Sequence, residues 1–182
     1  MFFLRKSSLE RLPVAMTGVR MGERALQLGL DDPALVGAIA AKVGLSGHAS
    51  VAVRNEHEAA AARAAGEKAG VLIDVQVQNG NTLPFETDSF DVVVLHSTPG
   101  KRSHFSDAER PDALREARRV LRPGGRFMVV EGGTGSGALT FLRSRPVFSE
   151  PSVVVQALKT AGFRATRVLA EQEGYRFSEG LK

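Results

Sequence analysis

From Asp91 to Leu95 the chain reads Asp-Val-Val-Val-Leu, an apolar run without polar alternation. A strand with apolar side chains on both faces must be covered on both faces. A parallel sheet layered between helices meets that condition. The neighbouring sequence supplies the layers. Arg24 to Leu28, Ser50 to Arg54, Val71 to Gln78 and Arg126 to Val130 read as further strands. Between them lie segments of helical spacing. Asp32-Pro33 opens one, with Asp32 as N-cap and Pro33 at the first helical position. Leu35, Val36, Ile39, Ala40 and Val43 follow on one face, and Gly44 stops the helix. Asn55 to Ala69 is an alanine-rich helix closed by Gly70. Pro111 to Leu121 turns Leu114, Ala117, Val120 and Leu121 inward and is broken by Pro123-Gly124-Gly125. Ser152 to Thr160 is the last helix, ending at Gly162, and residues 8–19 form a weakly helical lead-in.

Strands that alternate with helices imply right-handed crossovers and a parallel sheet. The last two strands, Phe163 to Ala170 and Tyr175 to Ser178, are separated by only four residues. That is too short for a crossover, so they form an antiparallel pair. The expected fold is an α/β three-layer sandwich with a mostly parallel seven-stranded sheet and a C-terminal antiparallel strand pair. It is expected as one domain over residues 1–182, with residues 1–20 as lead-in and 21–178 as core.

Composition removes several function classes. The chain has no cysteine, which excludes a disulfide framework, a thiol nucleophile and a cysteine metal site. No pair among His48, His57, His96 and His104 has metal-ligand spacing, so no metal is expected. No run approaches a membrane span, and Met1-Phe2-Phe3-Leu4 followed by Arg5 and Lys6 has the wrong order for a signal peptide. A cytoplasmic location is expected. The net charge is +4. Its densest cluster, Arg115, Arg118, Arg119, Arg122 and Arg126, reads as the solvated face of one helix, which argues against nucleic acid as a partner.

Two stretches are more specific. They are Leu83-Pro84-Phe85 followed by Ser89-Phe90-Asp91, and Arg115-Glu116-Ala117-Arg118-Arg119-Val120-Leu121-Arg122-Pro123-Gly124-Gly125-Arg126-Phe127. With the strand between them they resemble the second half of class I S-adenosylmethionine-dependent methyltransferases, in the small-molecule and quinone-type branch. The likeness extends over about residues 20–178. It implies S-adenosylmethionine as cofactor, bound outside the carboxyl ends of the strands at the switch point beside the first strand. It also implies residues for the site. Gly29 is the glycine retained from the family's first loop, and Asp31 stands where that loop has another glycine. Arg54 stands where the family places an acid for the ribose hydroxyls. Asn79 and Gly80 match the acid and small residue after the third strand. His96, after the fourth strand, can orient the cofactor or act as a base.

The first half departs from that pattern at Gln27, Asp31, Pro33 and Arg54. Gln27 replaces an acid, proline removes an amide donor, and arginine cannot accept a hydrogen bond. Two readings therefore stay open. One is a methyltransferase acting on a small-molecule acceptor, with an unusual cofactor loop. The other is a non-catalytic relative that serves a protein partner as scaffold or subunit, or assembles as a homo-oligomer. Leu83, Phe85 and Phe90 have a structural reading as well, packing under the sheet and seating the fourth strand. The glycine-rich residues 132–137 read as a connection or as a lid.

Overall fold

The computed structural model describes residues 12–78, 82–97, 110–132 and 150–182. In chain order these form α1 (Leu12–Met16), β1 (Arg24–Leu28), α2 (Pro33–Val43), β2 (His48–Val53), α3 (Glu56–Ala69), β3 (Asp74–Val77), β4 (Phe90–Ser97), α4 (Arg110–Val120), β5 (Leu121–Gly132), α5 (Pro151–Thr160), β6 (Arg164–Gln172) and β7 (Tyr175–Leu181). The strands make one sheet in the order β3-β2-β1-β4-β5-β7-β6. The first five are parallel, and β7 runs antiparallel to both β5 and β6. This is the expected α/β sandwich, with β7 inserted between β5 and β6.

Alternation along the strands divides the core. Leu26, Leu28, Val93, Leu95, Phe127 and Val129 face one side and pack under α4 and α5. Ala25, Val92, Val94, Met128 and Val130 face the other, against α1 and α2. Both faces of β4 are buried, as its uninterrupted apolar run requires.

Local chemistry explains the element ends. The Asp32 side chain accepts from the Ala34 and Leu35 amides, so α2 starts at Pro33. The Asn55 side chain accepts from the Glu58 amide and starts α3. Gly70, in the left-handed conformation, ends it. The Val71 amide is then bonded to the Gly66 carbonyl. The residue after the cap is thus tied back to the helix, and β3 begins at Asp74 rather than Val71. A second difference lies in β5. Its pairing with β4 passes from Phe90↔Leu121 to Val92↔Arg126, two steps on one strand against five on the other. Pro123-Gly124-Gly125 is therefore a wide bulge inside a long strand, not a gap before one.

Between β3 and β4 the described residues 82–89 contain no helix. Leu83 is instead buried in the α4/α5 side of the core, and Phe85 packs edge-on against Phe90 with ring centroids 5.1 Å apart. An ion pair on α4 holds this segment. Glu116 accepts from the Leu83 amide at 3.0 Å and from Arg119 Nε and Nη2 at 2.9 Å each. Arg119 donates in turn to the carbonyls of Leu83, at 3.1 Å, and Phe85, at 2.9 Å.

The arginine cluster is in part solvated, with the Arg115 and Arg122 side chains each 59% exposed, and its cations also find partners in the fold. Arg115 pairs with Asp112, Arg118 donates to the Gly162 carbonyl, and Arg122 pairs with Asp91. Arg126, on β5, donates to the Gly18 carbonyl and pairs with Glu23. Each of these cations has a partner within the fold.

The hydrogen bond from Arg119 holds the Glu116 carboxyl below its ordinary pKa of 4.5; burial opposes this, and the Leu83 amide assists. A depressed folded pKa contributes stability above the unfolded value, and that contribution is lost as pH falls through the folded one. Glu116→Gln should cost roughly 1.5 kcal/mol at pH 7 through the lost charge-assisted bonds. The gap to wild type should narrow as pH falls below about 4.5 and through the lower folded pKa. Urea unfolding at pH 7 and at pH 3 measures both; an equal gap at the two values rejects this account.

Candidate functional site

The sheet order reverses between β1 and β4, so the chain leaves these neighbouring strand ends in opposite directions. A crevice at their carboxyl ends is the general ligand position in such sheets. The site can be built from the residues there.

At the end of β1, Gly29 has φ +83°, a conformation that disfavours side chains. Its amide donates to the Ala52 carbonyl at 2.9 Å, which ties the β1 turn to β2. Asp31 is half-buried in the same turn. The first turn of α2 is closed from within. Pro33 carries no amide hydrogen, Ala34 and Leu35 bond to Asp32 Oδ1 at 3.0 and 3.1 Å, and the Val36 amide bonds to the Asp32 carbonyl. Buried Gln27 donates Nε2 to the Val36 carbonyl at 3.0 Å. An ionised acid here would have no proton to give that carbonyl, so the glutamine is a tie between β1 and α2.

At the end of β2, Arg54 is bound by Glu58 through both backbone and side chain. Glu58 Oε2 accepts from the Arg54 amide at 2.9 Å, and Oε1 accepts from Arg54 Nε at 3.0 Å. The Glu58 side chain is only 15% exposed. Glu56, the other acid of this turn, points outward and pairs loosely with Arg63 at 3.7 Å.

Asn79 and Gly80 lie outside the described residues, as do residues 1–11, residues 98–109 with His104, and residues 133–149 with most of the glycine-rich stretch. His96 is buried at the end of β4, opposite Val130. Strand alternation puts it on the side of Val92 and Val94, facing the α1/α2 layer. Ser97 falls on the opposite side.

That opposite side holds a feature the sequence reading does not identify. A cavity of about 590 Å³ lies between α4 and α5. A recess of about 50 Å³ shares Arg110, Leu114 and Ala157 with it and reaches the strand ends at Leu95, Ser97, Val129 and Glu131. Most of the recess lining is apolar, and Glu131 is its carboxylate. Both Glu131 and Arg176 are buried; the two are cross-strand partners on β5 and β7 and lie 3.9 Å apart. Arg176 Nε also donates to Glu171 at 2.6 Å. In the sequence the one available clue was an acid placed directly after a strand as apolar as Phe127 to Val130.

Among the described residues, no group of three His, Asp or Glu side chains is placed to hold a metal ion. None of their helices is long and apolar enough to cross a membrane.

Arg176→Met would leave the Glu131 charge buried without this partner. Breaking a buried pair from one side typically costs about 3–5 kcal/mol. Thermal melting should show a loss of roughly 3 kcal/mol, with Glu131→Gln restoring part of it in the double variant. A single variant that melts like wild type would remove the pair from the stability of this edge.

The chain matches the family described as "Methyltransferase domain" over residues 34–129. It is 30% identical over 150 residues to the ubiquinone/menaquinone biosynthesis C-methyltransferase UbiE of Vibrio vulnificus, covering 81% of this chain and 52% of that protein. The chain thus spans about half the length of the curated relatives it matches. Among solved structures, a SAM-dependent methyltransferase from Aquifex aeolicus superimposes with a TM-score of 0.72 at 18% identity, over 93% of this chain and 87% of that one. A Haloferax volcanii methyltransferase structure, in complex with the Trm112 methyltransferase activator, gives 0.61 at 16% identity, over 96% and 86%. At these identities the structures speak for the fold; the family match, over more than half of the residues, goes further. The chain belongs to the methyltransferase domain family.

Proposed function

We propose that this protein is an S-adenosylmethionine-dependent methyltransferase acting on a small, largely apolar acceptor. The observation that carries this reading is the adjacency of two features. One is the switch point of the sheet between β1 and β4; the other is the apolar recess with its carboxylate, which begins at the end of β4. Cofactor and acceptor need such adjacent places, because methyl transfer is an in-line displacement governed by positioning and exclusion of water.

The residues present fit the cofactor through the chemistry of their side chains and backbone. Gly29 lets the backbone turn tightly beside the ligand. Asp31, next to it, suits an ammonium group. Arg54, Asn79, Gly80 and His96 complete the proposed surround, with His96 approaching from the α1/α2 side. When bound, the cofactor supplies an electrophilic methyl group on a sulfonium. The chain's own work is to bind, orient and keep water out. Leu95, Val129 and Leu158 wall the recess, while Ser97 and Glu131 set the direction of an acceptor that carries a hydroxyl. The relatives' quinone biosynthesis makes a ring-hydroxylated acceptor the first class to try. A cytoplasmic location and a single domain over residues 1–182 belong to the same reading.

One observation favours a second reading. The closed first turn of α2 removes the amides that would meet the cofactor's carboxylate. A non-catalytic subunit would tolerate that closure, and the structural neighbour solved with a methyltransferase activator lends support to a partner chain.

Calorimetric titration with S-adenosylhomocysteine separates the two. Dissociation constants in the micromolar range are expected. Absence of heat and of any thermal shift at millimolar ligand would leave the scaffold reading in possession.

A further inference from the structure

We infer that Glu58, in the first turn of α3 and held by Arg54, is the residue that accepts the ribose hydroxyls of the cofactor. The inference rests on the methyltransferase reading and names a residue for a place that position 54 cannot fill. An arginine has only donors, and a ribose diol needs an acceptor.

Strand register supplies the direction. The carbonyl of Ala52 accepts from Gly29, so it faces β1. The carbonyl of Val53 accepts from Gln78, so it faces β3. Backbone polar groups alternate along a strand, and the amide of Arg54 therefore points back toward β1. Glu58 Oε2 sits on that amide at 2.9 Å. The carboxylate is thus placed between the β1–α2 and β2–α3 turns, on the side of Gly29 and Asp31. It reaches the position where a strand-end acid would stand, although it comes from a helix.

Arg54 is a positioning residue. Its Nε donates to Oε1 at 3.0 Å, while its amide fixes Oε2, so both carboxylate oxygens are located. The Asn55 side chain accepts from the Glu58 amide at 2.9 Å and sets the backbone from which the side chain folds back. A carboxylate oxygen can accept more than one hydrogen bond, so a hydroxyl can join the Arg54 amide on Oε2. With its guanidinium engaged by Glu58, Arg54 is not arranged to receive a phosphate.

The experiment is calorimetric titration of the full chain with S-adenosylhomocysteine and with its 2′-deoxy analogue. Wild type should bind the ribose compound about tenfold more tightly than the deoxy compound, the usual scale for a charge-assisted hydrogen bond. Glu58→Gln should lose most of that preference, with the loss falling on the ribose compound. Arg54→Met keeps the carboxylate and the backbone amide, so it should weaken binding yet retain the preference. Thermal melts establish that both variants fold; if Glu58→Gln does not, the preference retained or lost by Arg54→Met and by Glu58→Asp decides. Full ribose preference in folded Glu58→Gln would overturn the inference and leave the methyltransferase reading intact. No binding of S-adenosylhomocysteine to wild type would end both.

Discussion

The ion pair of Glu116 and Arg119 holds the helix-free described segment 82–89 that leads into β4. Described residues 82–89 are irregular, yet Leu83 from this stretch is buried beside Leu26, Leu28 and Ala52. An irregular segment brings backbone amides and carbonyls into the core, and each must find a partner. The pair on α4 provides them, with one carboxylate oxygen for the Leu83 amide and one guanidinium fork for the carbonyls of Leu83 and Phe85. Arginine suits this task because its donors are fixed in a plane and remain charged. The two sequence stretches that resemble the family most closely are therefore two halves of one contact. This is why they carry information about the fold and little about the reaction.

Helix starts and stops were legible because their causes are local. Asp32 followed by Pro33, Asn55 before an alanine run, and the glycines at 44 and 70 each act within four residues of where they stand. The shortened β3 and the bulge in β5 were not legible. The first follows from a bond between Val71 and Gly66, and the second from pairing with a strand thirty residues away. The site divides in the same way. Gly29 and Arg54 could be placed from the ends of their strands. Glu131 and Arg176 meet only across the β5–β7 register, which no spacing in the sequence reveals. Glu58 lies four residues from Arg54, so the pair itself is visible in the sequence. Its direction toward β1 depends on how β2 pairs on either side.

The departures from the family pattern also have a structural logic. Gln27 and Asp32 both spend their polar groups on α2, one on the Val36 carbonyl and one on the amides of the first turn. Such a helix is well fixed on β1 without a ligand. A ligand whose carboxylate depended on those amides would have to displace a side-chain cap, at a cost of about 1 kcal/mol. That cost is within the reach of a few good contacts elsewhere, so the closed turn lowers affinity without forbidding binding.

The charges around the crevice favour one kind of ligand. Glu58 and Glu131 each stand beside an arginine, at the ends of β2 and β5. Each of these carboxylates is held by its arginine, and a carboxylate oxygen is a hydrogen-bond acceptor. The arginines themselves face their acids. Across the proposed cofactor and acceptor places the chain offers a set of acceptors, with Asp31 as a third acid in the β1 turn. Ribose hydroxyls, an ammonium group and a hydroxylated ring all present donors. Phosphates present none. Although the chain carries a net charge of +4, Arg54 and Arg176 at these strand ends are turned to carboxylates, which is the arrangement the proposed function calls on.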